Sequence, residues 1–160
     1  MPVDPQARAF QELLERVVAG LGLDAKVEVV SDVESLTGTL HGEDLGLFIG
    51  RHGQTIDAVQ HLAQRILLAD PDAERRRIVV DAQGYRQRRR EALEKQADQA
   101  AIDAERYGRP VALDAMTASE RKHVHEYLRI RGGVDTHSEG DEPERHLVVT
   151  PIGRTSRSSA

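Results

Sequence analysis

A chain of 160 residues with 39% apolar content can fold as one domain or as two thin ones. With no cysteine there is neither a disulfide framework nor a thiolate metal site. No apolar run approaches the roughly 20 residues that span a bilayer, and the first ten residues lack the basic and apolar regions of an export signal, so a soluble, cytoplasmic protein without direct membrane insertion is expected. Two Phe, three Tyr and no Trp mean that the cores are built from Leu, Val, Ile and Ala. The net charge is -5, which argues against binding a polyanion along the whole chain, but the charge is unevenly placed. Residues 1–50 hold three basic and nine acidic side chains, residues 51–90 hold nine and five, and residues 91–160 hold ten and thirteen. Positive charge thus collects in the middle of the chain, as a local field or as a solvated face.

Residues 5–18 place Phe10, Leu13, Leu14, Val17 and Val18 at helical spacing, and Gly20 and Gly22 follow as stop signals. Residues 26–30 and 34–40 alternate, with Val27 and Val29 on one face of the first and Leu36 and Leu40 on one face of the second, and the pair predicts a hairpin around Ser31 and Asp32. A short apolar helical turn, 45–49, ends at Gly50. From Gln54 a longer helix carries Ile56, Val59, Ala63, Ile66 and Leu67 on one side and closes before Pro71, and residues 77–81 form a third strand.

Residues 85–107 contain no Gly or Pro and predict a helix of roughly 35 Å. Its stripe of Leu93, Ala97, Ala100, Ala101 and Ala104 packs on a domain, whereas its first half, crowded with Arg86, Arg88, Arg89 and Arg90, is expected to lie open. Residues 111–113 are a short strand candidate, and Thr117-x-x-Glu120 is a capping box that starts a helix reaching about Ile130 and stopped by Gly132 and Gly133. Residues 134–138 and 146–150 predict a strand pair around the acidic turn 139–144, and the Ser-rich tail 153–160 is expected to be disordered.

Two constellations carry chemistry. Gly50-Arg51-His52-Gly53 lies between a short helix and a long one, where glycines let the backbone approach a sugar-phosphate chain and the opening amides of the Gln54 helix face phosphates. A lone Gly-x-x-Gly also arises by chance, and it then ends one helix and starts the next. With Ile49 before it, the hairpin upstream and the strand downstream, residues 5–82 resemble a KH domain of the bacterial type, with helix-strand-strand-helix-helix-strand order. The resemblance implies that Arg51 and His52 meet phosphates and that a groove for about four nucleotides is floored by apolar residues. Ile49, Ile56 and Val59 are the candidates, each equally compatible with plain core.

Arg121 and His125 are four apart on the capped helix and share a face, a pairing that on its own is also met on ordinary surfaces. The longer patterns around them, Met116-x-x-x-Glu120-Arg121-Lys122-x-x-His125 and Thr136-x-Ser138-x-Gly140-x-Glu142-Pro143-x-Arg145, are similar to the R-3-H domain, a single-stranded nucleic-acid-binding module named for its Arg-x-x-x-His pair. KH followed by R-3-H resembles the bacterial Jag (KhpB) family over nearly the whole chain. The fold expected is α+β: a KH domain over 1–82, and a small α/β R-3-H domain over 83–152 that includes the joining helix 84–107.

The resemblance implies Gly50, Arg51, His52, Gly53, Arg121 and His125 as RNA-binding residues, with Lys122 as an extra phosphate contact. Ala115 stands where relatives often carry proline. The chain begins at the KH helix, so the separate N-terminal domain of many relatives, and a membrane-insertase link that would depend on it, are expected to be missing. Single-stranded RNA, or single-stranded DNA, is the implied ligand. Pairing with itself or with another small KH protein is the implied assembly, and regulation or chaperoning of transcripts for envelope growth and division is the implied role. No cofactor is expected.

An enzyme is the first rival. His123 and His125 point to nearly opposite helix faces and cannot share a metal, and neither a His-Glu-x-x-His pattern, a Gly-x-Ser-x-Gly elbow nor a Gly-Lys-Ser/Thr phosphate loop is present. A protein-interaction adaptor, docking partners through the KH fold or the charged helix, is the second.

Overall fold

Pro5 opens a helix at little cost because its absent amide would have no helical partner there, and Asp4 before it supplies the cap. The Asp4 carboxylate accepts from the amides of Gln6 and Ala7 at 2.9 and 3.2 Å. The computed structural model describes residues 4–153, which fall into two units divided after Arg86. The fold is α+β. Nearly all of the tail expected to be disordered lies outside the described residues.

In the first unit the order is α1 (Pro5–Gly20), β1 (Lys26–Ser31), β2 (Ser35–His41), α2 (Gly46–Ile49), a single 3-10 turn (Arg51–Gly53), α3 (Gln54–Leu67) and β3 (Arg77–Ala82). β1 and β2 form the expected hairpin, antiparallel with Val29 opposite Gly38, and β3 lies parallel to β2 on its other side with Val80 opposite Gly38. A parallel neighbour needs a crossover, and α2 and α3 provide it. Asp32 forms the hairpin turn by accepting from the amides of Glu34 and Ser35 at 2.8 and 2.7 Å.

The core joins Phe10 and Leu14 of α1, Leu36 and Leu40 of β2, Ile56 and Ala63 of α3, and Ile78 and Val80 of β3. Gly38 sits between Leu36 and Leu40 because α1 lies very close there; a Cβ would stand 2.9 Å from the Phe10 ring. Two expectations change. Ile66, placed on the packed side of its helix, is 51% exposed, since Leu67 and Ala63 already fill the interface. Ile56 and Val59 are buried in the core, so neither offers surface to a groove floor, whereas Ile49 is half-buried against the same core.

α4 (Tyr85–Tyr107) begins in the first unit and continues into the second from Gln87, where it is followed by β4 (Val111–Ala112), α5 (Ala118–Arg131), β5 (Val134–Glu139) and β6 (His146–Pro151). The sheet order is β4-β6-β5, all antiparallel. The Thr117 capping box forms as expected, and the alanine stripe of α4 is buried with Val124 and Leu128 of α5 and Leu147 and Val149 of β6. Alanines allow two helix backbones to approach, and polar side chains then tie the pair: Arg89 to Glu120 at 2.8 Å, Glu94 to His123 at 2.8 Å, Asp98 to the Tyr127 hydroxyl at 2.8 Å and Glu105 to Arg131 at 3.0 Å. These partners advance together along both helices, so α4 and α5 run in the same direction. Arg89 is therefore engaged, although the first half of α4 was expected to lie open.

Arg76 is one of the two buried charged side chains among the described residues. Its guanidinium donates to both Asp4 carboxylate oxygens at 2.6 and 3.0 Å, to the Ser31 hydroxyl at 2.9 Å and to Gln6 Oε1 at 2.9 Å. The hydrogen bonds from Arg76 and then Ser31 hold the Asp4 carboxyl well below the usual carboxylate range. Removing Asp4 leaves the buried Arg76 with only the exposed carboxylate of Glu74, 3.2 Å from its Nε, so Asp4→Asn is expected to destabilise this unit by about 3 kcal/mol at neutral pH. Because the folded-state value is depressed, the difference from the unaltered protein should hold down to about pH 4 and shrink below it. Denaturant unfolding of both proteins across this range checks it.

Candidate nucleic-acid interface

Three of the four residues from Gly50 to Gly53 have positive φ: 73° at Gly50, 54° at His52 and 78° at Gly53. Gly50, with ψ 178°, lies in a region essentially reserved for glycine, and a Cβ there would stand 2.9 Å from the Thr55 amide nitrogen. Histidine is among the few non-glycine residues met in the left-handed region. The loop thus turns within four residues and enters α3 with no side-chain cap on the helix. The Gln54 amide donates to the Arg51 carbonyl, no side chain caps the amides that follow, and the helix dipole favours an anion there. Arg51 is exposed and His52 half-buried.

An anion at this helix end would meet the carboxylate of Asp57 in the first turn, but Arg86 neutralises it. The Arg86 guanidinium donates to Asp57 at 2.8 Å, to Gln60 Oε1 at 3.1 Å and to the Val80 carbonyl at 2.7 Å, while Gln60 Oε1 also accepts from the Val80 amide at 2.9 Å. Tyr85 lies against Gly53, where a Cβ would be 2.9 Å from its hydroxyl. Arg86 and Tyr85 were expected on an open helix. Instead they close the loop's flank, because the unpaired edge of β3 offers a carbonyl that must be satisfied. Tyr85 and Arg86 accordingly belong with the first unit.

In the second unit the two sequence stretches around Arg121 and Arg145 meet. Arg121, Lys122 and His125 from α5 line one surface depression with Thr136 and Ser138 of β5 and Arg145. Their roles differ. Arg121 is 9% exposed, and its guanidinium donates to the Met116 carbonyl at 2.5 Å and to Glu142 at 2.5 Å. It ties the start of α5 to the acidic turn before β6. His125 shares a hydrogen bond through Nδ1 with the Thr136 hydroxyl, which leaves Nε2 for another partner. Lys122 is exposed. Arg145 is half-buried and donates to the Gly140 carbonyl at 2.6 Å. His123 turns the other way to Glu94, so the two histidines do face opposite directions.

Thr136, Ser138 and Arg145 belong to the pattern visible in the sequence but lie outside the site expected from it. The signal was the period of two: Thr136 and Ser138 share the β5 face that meets α5, and His137 between them lines the rim. Among the described residues no cluster of His, Asp and Glu is arranged to hold a metal, and no helix is long and apolar enough to cross a membrane.

Comparison with known proteins agrees with this division. The KhpA/KhpB KH domain family matches residues 9–80, and the R-3-H domain family matches residues 91–151. The chain is similar to proteins named RNA-binding protein KhpB. That of Clostridium symbiosum is 33% identical over 87% of this chain and 63% of its own length, and that of Lactiplantibacillus plantarum is 37% identical over 89% and 44%. That of Bacillus subtilis is 30% identical over 92% of this chain and 71% of its own. The chain therefore spans less than two thirds of the first two relatives.

Arg121 and Lys122 are neighbours with opposite expected behaviour. Arg121→Met removes the donor to a buried carbonyl and the tie to Glu142, and should destabilise the second unit by about 3 kcal/mol. Lys122→Ala should change stability by no more than about 0.5 kcal/mol. Thermal and denaturant unfolding of the two variants measure the contrast.

Proposed function

The chain belongs to the KhpB family, and on that premise we propose that it binds single-stranded RNA at two places and catalyses no reaction. The first is the Gly50–Gly53 loop with the opening amides of α3, and the second is the depression that holds Lys122, His125, Ser138 and Arg145. The observation that carries the proposal is the loop: positive φ at three positions, an uncapped helix start behind them, Arg51 outside, and the one carboxylate of the first α3 turn neutralised by Arg86. That arrangement suits a phosphodiester, which needs amide donors and a nearby positive charge and no reacting group. In the second place Arg121 acts as a positioning residue, since its donors are directed to Met116 and Glu142, and the contacts with RNA fall to Lys122, His125 Nε2 and the Ser138 hydroxyl.

Two weak sites on one chain bind a long strand far more tightly than either alone, through effective concentration. Such binding suits post-transcriptional control or RNA chaperoning in the cytoplasm, and the resemblance points to transcripts for envelope growth and division. A second reading, pairing of this chain with itself or with another small KH protein, is favoured by the half-exposed Leu62 and Ile66 of α3 and by the groove that Ala9, Leu13 and Ala19 line beside Ile66. It is compatible with RNA binding, and sedimentation of Ile66→Asp against the unaltered chain tests it: a lost dimer supports pairing through this face, and an unchanged mass excludes it.

Replacing both Arg51 and His52 by Asp places negative charge against the phosphates without entering the core. Affinity for a short single-stranded RNA should fall by roughly tenfold or more, and the dependence of log K on log salt should flatten by about 0.7 per lost phosphate contact. The melting temperature should not move. An unaltered titration curve would remove the loop from the interface.

A further inference from the structure

The chain has five aromatic rings, and four are used for structure. Phe10 and Phe48 are fully buried, Tyr85 packs against Gly53, and Tyr127 donates its hydroxyl hydrogen to Asp98. Tyr107, the last residue of α4, is 59% exposed and lies outside both places assigned above. Two guanidiniums attend it: the central carbons of Arg106 and Arg109 stand 5.6 and 5.7 Å from its ring centre. Neither arginine is paired with a carboxylate among the described residues, whereas Arg76, Arg86, Arg89, Arg121, Arg129 and Arg131 all are. Gly108 follows the ring and ends the helix at φ 63°.

We propose that Tyr107, with Arg106 and Arg109, is a third contact for single-stranded RNA, on which an unstacked base lies against the phenol ring while the guanidiniums meet the adjoining phosphates. The chemistry favours this ligand. Both guanidiniums lie over the exposed ring in the free chain; a base of any kind can take the place of one of them against the phenol, and the two full positive charges, moved to the adjoining phosphates, outweigh the partial negative charge of the helix end. An acidic protein surface would satisfy the arginines but would leave the ring without a partner. Stacking here discriminates little between bases, so the contact adds affinity for unpaired strands and not sequence preference.

The inference rests on the RNA-binding proposal, and the test separates the two. The full chain is titrated with a single-stranded oligouridine and with an abasic ribose-phosphate strand of equal length. Tyr107→Ala should weaken binding to the oligouridine roughly tenfold and leave the abasic strand unaffected, and Tyr107→Phe should restore the oligouridine affinity. Arg106→Ala with Arg109→Ala should weaken both strands. Melting temperatures show whether each variant is folded, and Tyr107→Phe, which keeps the ring, guards against a fold effect of truncation. If Tyr107→Ala binds the oligouridine as the unaltered chain does, while the Arg51→Asp, His52→Asp variant does not, the stacking contact is overturned and the RNA-binding proposal stands. Equal losses on both strands also overturn it. If the unaltered chain binds neither strand, both proposals fall.

Discussion

A guanidinium taken out of water keeps nearly the whole cost of its lost hydration unless acceptors surround it, and the place where Arg121 meets that requirement organises the second unit. To satisfy it, the Met116 carbonyl and the Glu142 carboxylate must stand within hydrogen-bond reach of the start of α5 at the same time. Bringing them there draws the acidic turn before β6 towards the helix, and the depression that holds Lys122, His125 and Ser138 is what remains between α5 and the sheet. Arg76 does the equivalent work in the first unit, joining the helix cap at Asp4, the hairpin turn at Ser31 and the approach to β3. A chain with two Phe and no Trp has thin cores, and each unit holds one buried, hydrogen-bonded arginine.

Charge follows the same economy. The overall balance of -5 sets no limit on local binding, because many carboxylates are held by arginines that lie beside them. Asp57 is the telling case: left alone it would oppose any anion at the start of α3, and paired with Arg86 its charge is balanced. Glu142 in the second unit is neutralised in the same way by Arg121. The arginines of this chain thus divide into those that cancel a neighbouring carboxylate and those, such as Arg106 and Arg109, that stand beside an exposed ring with no such partner among the described residues.

Most of the fold was legible because periodicity reports directly on burial. The repeat of Phe10, Leu14 and Val18, the alternation of Leu36 and Leu40, and the Thr117-x-x-Glu120 cap each depend on neighbours within a few residues. What escaped depends on residues far apart in the chain. That Arg86 answers a carbonyl on the free edge of β3 requires knowing which edge is free, and that Ile66 is exposed while Leu67 is buried requires knowing the angle at which α3 meets the sheet. Arg121 carries the clearest lesson. Its spacing to His125 sets both on one helix face and both line one depression, but spacing carries no information on depth, and one of the two acceptors that hold it lies 21 residues away.

The most direct test of two RNA contacts on this chain is a nuclear magnetic resonance titration of the isotope-labelled full chain with a single-stranded RNA long enough to reach both units. Amide shifts are expected at Gly50 through Thr55 and around Lys122, His125 and Ser138, with the Arg121 guanidinium signal little changed because its donors stay on Met116 and Glu142. Shifts confined to α1 and the outer face of α3, with the Gly50–Gly53 loop silent, would contradict it.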